Sequence, residues 1–254
     1  MEVLEYSAIF VSLVIVGFGI LIVTAFAGRQ SIPDGLEING IRIVKDRFVS
    51  LAVLPLADGG AALFDAGDDK TGKAILGELS RLGLGPEDVK AIFLTHGHRD
   101  HISGAPLFPN AQVMALSEEV DIAEGRASSG GPILRFLPVK PTGVKIGRTL
   151  QDGEVVDLGT VKVRVFAVPG HTAGCAAYLV NGVLILGDAA DAGSDGRVRC
   201  SPWIFSKDQA QDRASLRRLA TRLAGDGCVE ALVFAHSGVL KQGIEPLALA
   251  ARGW

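Results

Sequence analysis

The chain has few of the residues that staple a small fold. Three cysteines, Cys175, Cys200 and Cys228, occur in 254 residues. They are far apart, odd in number and contain no C-x-x-C pair, which excludes a disulfide framework and a finger-type zinc site. We read them as small core or loop residues and as non-ligands. An excess of basic charge is also lacking. The formal net charge is −3, so the electrostatic footprint of a nucleic-acid binder is absent. No G-x-S-x-G element occurs, which removes the commonest serine-hydrolase signature. The hydrophobic fraction of 48% and charged fraction of 21% describe a globular chain rather than a disordered one.

Charge is missing altogether from Tyr6 to Gly28, "YSAIFVSLVIVGFGILIVTAFAG". A span of about 20 apolar residues crosses a bilayer core, and this run has no polar face for a solvent-facing core helix. Glu2 and Glu5 precede it rather than lysine or arginine, and it exceeds a usual signal-peptide core. An uncleaved transmembrane anchor is therefore expected. The alternative is a secreted or periplasmic chain after cleavage near Ala27, where "AFA" (Ala25–Ala27) offers small residues. Arg29, Arg42, Lys45 and Arg47 all follow the run. The positive-inside bias then places the C-terminal portion of a single-pass protein in the cytoplasm. The expected organisation is an anchor over 1–28, a linker over 29–37 containing Pro33 and Gly35, and one domain over 38–254.

Within that domain, short apolar or alternating runs alternate with amphipathic stretches. "IRIV", "FVSLAVLPL" and "GAALFDAG" read as consecutive strands, and "KTGKAILGELSRLG" as a helix stopped by Gly83. "VKAIFL" and "AQVMAL" read as strands, and "SEEVDIAEG" as a short helix opened by Ser117 with Glu119 in its first turn. The segment Arg126–Gln151 lacks periodicity and reads as a loop bordering a site. "CAAYLV" and "GVLILG" form a hairpin across Asn181-Gly182, "DQAQDRASLRRLATRLAG" a long helix, and "ALVFAH" a closing strand. The pattern implies sheets covered by helices.

Histidine is scarce, five residues in all, yet every one follows an apolar strand. His96, His98 and His101 lie in "THGHRDH" after "AIFL". His171 follows "VFAVPG", and His236 follows "ALVFA". Asp188 follows "GVLILG", and Asp65 ends "AALF". Polar residues at one end of buried strands converge at a sheet edge, where sites are built. In an extended loop His96 and His98 project to one side and can share an ion, while Asp100 and His101 reach a second. Imidazole and carboxylate without thiolate suit zinc, and also iron or manganese.

With these pieces in place the chain resembles the metallo-β-lactamase superfamily, in its glyoxalase II and lactonase-like branch. "FDAG", "THGHRDH", "PGHTAG", "GD" and "AHSG" occur in that family's order. The resemblance implies an α/β fold, a four-layer αβ/βα sandwich, here preceded by the transmembrane helix. It implies two divalent ions, one held by His96, His98 and His171, the other by Asp100, His101 and His236. Asp188 bridges them, and Asp65 supports the ligands by hydrogen bonds. It further implies metal-dependent hydrolysis, with Asp100 and Asp188 positioning the attacking hydroxide. The presence of Asp188 points to thioester, ester or lactone substrates rather than β-lactams. Glyoxalase II adds a C-terminal helical region, so glutathione is not the expected substrate of a chain ending at Trp254. Phosphodiester hydrolysis, or iron-dependent persulfide or redox chemistry on the same fold, is the alternative. The expected partner is a small molecule, amphiphilic for a hydrolase fixed beside a bilayer, with no nucleic acid. Asp191–Asp208 also borders the expected pocket, with Trp203, Ile204 and Phe205 as candidate apolar lining.

Overall fold

The computed structural model describes residues 2–254, the side chains of residues 2–11 and 14 excepted. Its first element, α1, runs Glu2–Phe26. Four antiparallel strands follow: β1 (Leu36–Ile38), β2 (Ile41–Asp46), β3 (Val49–Leu56) and β4 (Gly60–Phe64). β5 (Val89–Phe93), β6 (Gln112–Leu116) and β7 (Arg148–Leu150) then add in parallel, giving a seven-stranded sheet in sequence order. The second sheet contains β8 (Val155–Asp157), β9 (Lys162–Ala167), β10 (Ala176–Val180) and β11 (Val183–Ile185). A hairpin, β12 (Ala190–Ala192) with β13 (Val198–Cys200), stands apart. β14 (Ala231–Val233) then pairs in parallel with β11, and β15 (Val239–Leu240) closes the second sheet.

The two sheets face each other. Phe64 and Phe93 of the first stack at 5.1 Å, and Tyr178 of the second packs on both at 5.7 and 5.4 Å. The Tyr178 hydroxyl donates to the Leu94 carbonyl at 2.6 Å, so a polar tip buried between the layers is satisfied. Helices cover the outer faces. α2 (Lys73–Arg81) buries Ile75 and Leu79 against the first sheet and stops before Gly83, whose φ of 73° suits glycine. Two one-turn helices, α3 (Arg99–Ile102) and α4 (Val120–Ala123), lie in the connections after β5 and β6. α5 (Gln209–Leu223), capped by Asp208 accepting from Ala210 and Gln211 N–H, and α6 (Glu245–Gly253) cover the second sheet. This is the four-layer α/β sandwich that the sequence led us to expect.

Two local readings need correction. Ser117 does not cap a helix. Its hydroxyl bonds Glu118, and residues 117–119 form a 3₁₀ turn ahead of α4. The stretch 29–37 is also no free linker. Leu36 begins β1, and Arg29 bridges to Gly193 beside β12. The expected membrane span falls partly on residues 2–11 and 14, whose side chains lie outside the description. Among the described residues no helix is long and apolar enough to cross a membrane.

The topology explains where the site lies. β4 and β5 are parallel in one sheet, β11 and β14 parallel in the other. Their C-terminal ends release Asp65, the Thr95 loop, Asp188 and His236 at one edge, and the loop after β9 adds His171.

Candidate metal centre

The structure brings all seven of the predicted ligand residues together. His96, His98, His171 and Asp188 form one group and Asp100, His101 and His236 a second, each with candidate ligand atoms within 4.8 Å of one another. Asp188 stands between the groups. Its Oδ1 lies 3.2 Å from His101 Nε2, and its Oδ2 lies 3.1 Å from His236 Nε2 and 3.5 Å from His171 Nε2. Asp100 Oδ2 lies 3.2 Å from His236 Nε2.

Four of the five histidines have their outward-facing nitrogen tied down. His101 Nδ1 donates to Asp65 Oδ2 at 2.8 Å, and His236 Nδ1 to the Phe48 carbonyl at 2.9 Å. Thr95 gives its hydroxyl proton to Asp65 at 2.7 Å, which leaves its oxygen to accept from His96 Nδ1 at 3.1 Å. His171 Nδ1 pairs with Ser201 Oγ at 2.7 Å. Fixing the proton on Nδ1 leaves the Nε2 lone pairs of His96, His101 and His236 facing the centre. Asp65 therefore orients two ligand residues, and it does so from a left-handed backbone, φ 63°, a conformation that aspartate tolerates better than most residues.

These residues fit a cation. His96 Nε2, His98 Nε2, His101 Nε2 and Asp188 Oδ1 are buried without a hydrogen-bond partner. His98 Nδ1 faces His171 Nε2 at 3.0 Å, so one proton or ion must sit between two nitrogens. Burial disfavours the proton: it pushes His98 down to about 4, His171 to about 3, and His96 well below its usual value. At Asp188 burial opposes the charge, but His236 and His101 outweigh it and hold the carboxyl well below its ordinary value. His96, His98 and His171 are thus neutral donors beside an ionised carboxylate, a set that a borderline divalent ion takes. Asp188 holds His101 well above its usual value and His236 up to about 10 against their burial, so a cation bound there would displace their protons.

One residue central to this geometry was missed in the sequence. Glu119, fully buried, accepts from Gly97 N–H at 2.7 Å, Thr172 Oγ1 at 2.8 Å and Gly174 N–H at 2.8 Å. It thereby fastens the loop of His96 and His98 to the loop of His171. Burial raises its pKa against these three donors. The glycines permit the approach: a Cβ on Gly97 would lie 2.6 Å from Ala123 N. No local pattern marks Glu119, because its partners are 22, 53 and 55 positions away.

Above the centre is a cavity of about 540 Å³, within the range of small-molecule sites. His98, Asp100, His171, Asp188 and His236 face into it, with Phe26, Phe48, Leu137, Val139 and Phe205 among its apolar lining. Of the candidate lining residues, Phe205 is in the wall, Ile204 is buried core, and Trp203 is exposed. The three cysteines are free and outside both ligand groups.

Comparison with known proteins agrees with this geometry. The chain is 35% identical over 207 residues to a hydroxyacylglutathione hydrolase of Cupriavidus taiwanensis, covering 76% of this chain and 67% of that protein. It is 32% identical over 146 residues to the hydroxyacylglutathione hydrolase of Aeromonas hydrophila, covering 56% of this chain and 47% of that protein. It thus spans between about half and two thirds of these relatives' length. A crystallised metallo-beta-lactamase of Novosphingobium pentaromativorans has the same fold, with a TM-score of 0.66, 22% identity and 89% coverage of each chain. Residues 46–228 match the family described as the Metallo-beta-lactamase superfamily, and the chain belongs to that superfamily.

Proposed function

We propose that this chain is a metal-dependent hydrolase of acyl bonds, acting on a thioester, ester or lactone. The observation that carries the reading is the convergence of seven imidazole and carboxylate side chains on one cavity, with the outer nitrogens of His96, His101, His171 and His236 already bonded. His96, His98 and His171 would hold one divalent ion, Asp100, His101 and His236 a second, and Asp188 would reach both. Zinc suits this donor set, and iron or manganese can occupy it. Bound there, such ions lower the pKa of water toward neutrality and polarise a carbonyl oxygen. The protein's part is positional. Asp65, Thr95 and the Phe48 carbonyl fix the tautomers of His101, His96 and His236, Ser201 holds the His171 ring, and Asp100 and Asp188 present carboxylates where a nucleophilic water must be oriented and its proton accepted. The relatives named hydroxyacylglutathione hydrolase support a thioester over a phosphodiester.

We also place the domain beside a membrane, on the cytoplasmic side. Supporting this are the uncharged run from Tyr6 to Gly28 and the four basic residues that follow it. Metal quantification on the purified full chain, with a panel of thioesters, esters, lactones and phosphodiesters, tests the activity. Turnover confined to acyl substrates, and lost in His98→Ala and Asp188→Ala, is expected. Iron with oxygen consumption, phosphodiester turnover, or unchanged hydrolysis in both variants would overturn it. A phosphatase fused after Trp254 that proves active outside the cytoplasm would reverse the orientation.

A further inference from the structure

The cavity is lined by the histidine and aspartate cluster and also by Phe26, Leu137, Val139 and Phe205, and two apolar surfaces adjoin it without a protein partner among the described residues. The first is α1. Its side chains at Leu13, Ile15, Val16, Phe18, Ile20 and Val23 are 49–69% exposed. At about 100° per residue these positions occupy about 220° of the circumference, and the remaining arc carries Gly17 and the half-buried Leu21, with no charged side chain. A single protein partner covers one face of a helix; a helix apolar on every side needs an apolar surrounding.

The second surface is the segment 135–140, "RFLPVK", six consecutive exposed residues. Phe136 is 75% exposed, Leu137 55% and Val139 48%, between Arg135 and Lys140. Apolar side chains flanked by cations match a bilayer interface, where the former enter the acyl boundary and the latter meet lipid phosphates.

The two surfaces meet at the cavity. Phe26, the last residue of α1, lies edge-on to His236 with centroids 6.1 Å apart and packs on Phe205 at 5.8 Å. The Arg29 guanidinium covers the Phe26 ring at 4.2 Å and pairs with buried Asp191 at 2.7 Å. Gln30 N–H donates to the Ala192 carbonyl at 2.9 Å, and Ser194 N–H to the Gly28 carbonyl at 2.8 Å. The end of α1 is therefore fastened to the hairpin that follows Asp188. Leu137 and Val139 line the same cavity from the opposite element.

We propose that the cavity mouth opens onto a lipid bilayer surface, with α1 and residues 135–140 both seated in it. The substrate is an acyl amphiphile whose chain lies along Phe26, Leu137, Val139 and Phe205 while its carbonyl reaches the histidine and aspartate floor. This rests on the hydrolase reading above. One water adds across the acyl bond: oxygen joins the carbonyl carbon, the C–S or C–O bond breaks, and a proton passes to the leaving thiolate or alkoxide. The products are a fatty acid and a thiol or alcohol.

The test uses the full chain reconstituted in phosphatidylcholine vesicles containing 30% phosphatidylglycerol. Tryptophan introduced as Phe136→Trp should be quenched by brominated lipid beyond the signal of the parent, and less so in pure phosphatidylcholine. No added quenching in either vesicle overturns the membrane contact. So does shielding of the introduced indole that depends on protein concentration, as a second copy would cause. This readout does not need activity. Separately, kcat/KM on acyl thioesters should rise at least tenfold from a two-carbon to a twelve-carbon chain. The double change Arg135→Glu with Phe136→Asp should abolish most of that rise and leave two-carbon turnover unchanged. A flat chain-length series in an active enzyme refutes the amphiphile and spares the hydrolase. Absence of turnover at every chain length refutes the hydrolase, while the quenching result stands on its own.

Discussion

Replacing Glu119 by alanine removes the one group that accepts from Gly97, Thr172 and Gly174 at 2.7–2.8 Å. Each buried donor left unsatisfied costs about 1–3 kcal/mol. The Thr172 hydroxyl can rotate away, and the carboxylate's own burial penalty disappears, so the low end applies and the net loss is about 2–5 kcal/mol. For a domain of this size each kcal/mol moves Tm by about 2–4 °C. The metal-free protein should therefore melt roughly 4–20 °C lower. Gly97 sits between His96 and His98, and Thr172 follows His171. Loosening them should weaken zinc binding by about 10–100-fold, the usual cost of losing a group that orients ligands. Scanning calorimetry and competition against a chromogenic chelator measure the two effects. Glu119→Gln keeps one acceptor oxygen and should fall between parent and alanine variant. An alanine variant with Tm within about 2 °C of the parent and unchanged zinc affinity would refute the argument that this carboxylate fastens the two ligand loops.

Three further outcomes are expected. Asp65→Asn keeps a residue tolerant of φ 63° but removes a carboxylate from His101 and Thr95; it should fold normally and bind zinc about 10–100-fold more weakly by chelator competition. Asp212 has both carboxylate oxygens buried without partners, and burial raises it to about 8. Its folded pKa exceeds the unfolded value of about 3.9, so it destabilises the fold progressively as pH rises from about 4 to about 8. Denaturant titrations should then show Asp212→Asn matching the parent near pH 4 and exceeding it near pH 8.5 by up to about 6 kcal/mol, at roughly 1.4 kcal/mol per unit; a constant difference across that range would contradict this. Removing divalent ions with a chelator should lower Tm by about 8–16 °C relative to protein at roughly 1,000-fold Kd of zinc, since ligand at that excess contributes about 4 kcal/mol.

Much of this protein is determined by the sequence alone. Period-two and helical patterns marked most strands and the long helices, because each element must bury one face whatever its neighbours are. The ligand residues were legible because "THGHRDH" concentrates a rare residue type after a buried strand, and His171, Asp188 and His236 repeat that strand-end context. Asp65 shares that strand-end context, but its role in supporting the ligands was legible only through the resemblance of "FDAG". The tertiary structure alone decided which groups hold these ligands still. Glu119, Thr95, Ser201 and the Phe48 carbonyl act across the fold, and a hydrogen bond between distant loops leaves no periodic trace in the chain. The same holds for Phe26 and Arg29. Read locally, they end an apolar run and begin a linker. In the fold, Arg29 meets Asp191 and Phe26 meets His236, because β12 and β14 bring residues from the far end of the chain beside the end of α1. Periodicity reports what each segment buries; only the closed sandwich determines what each buried group touches.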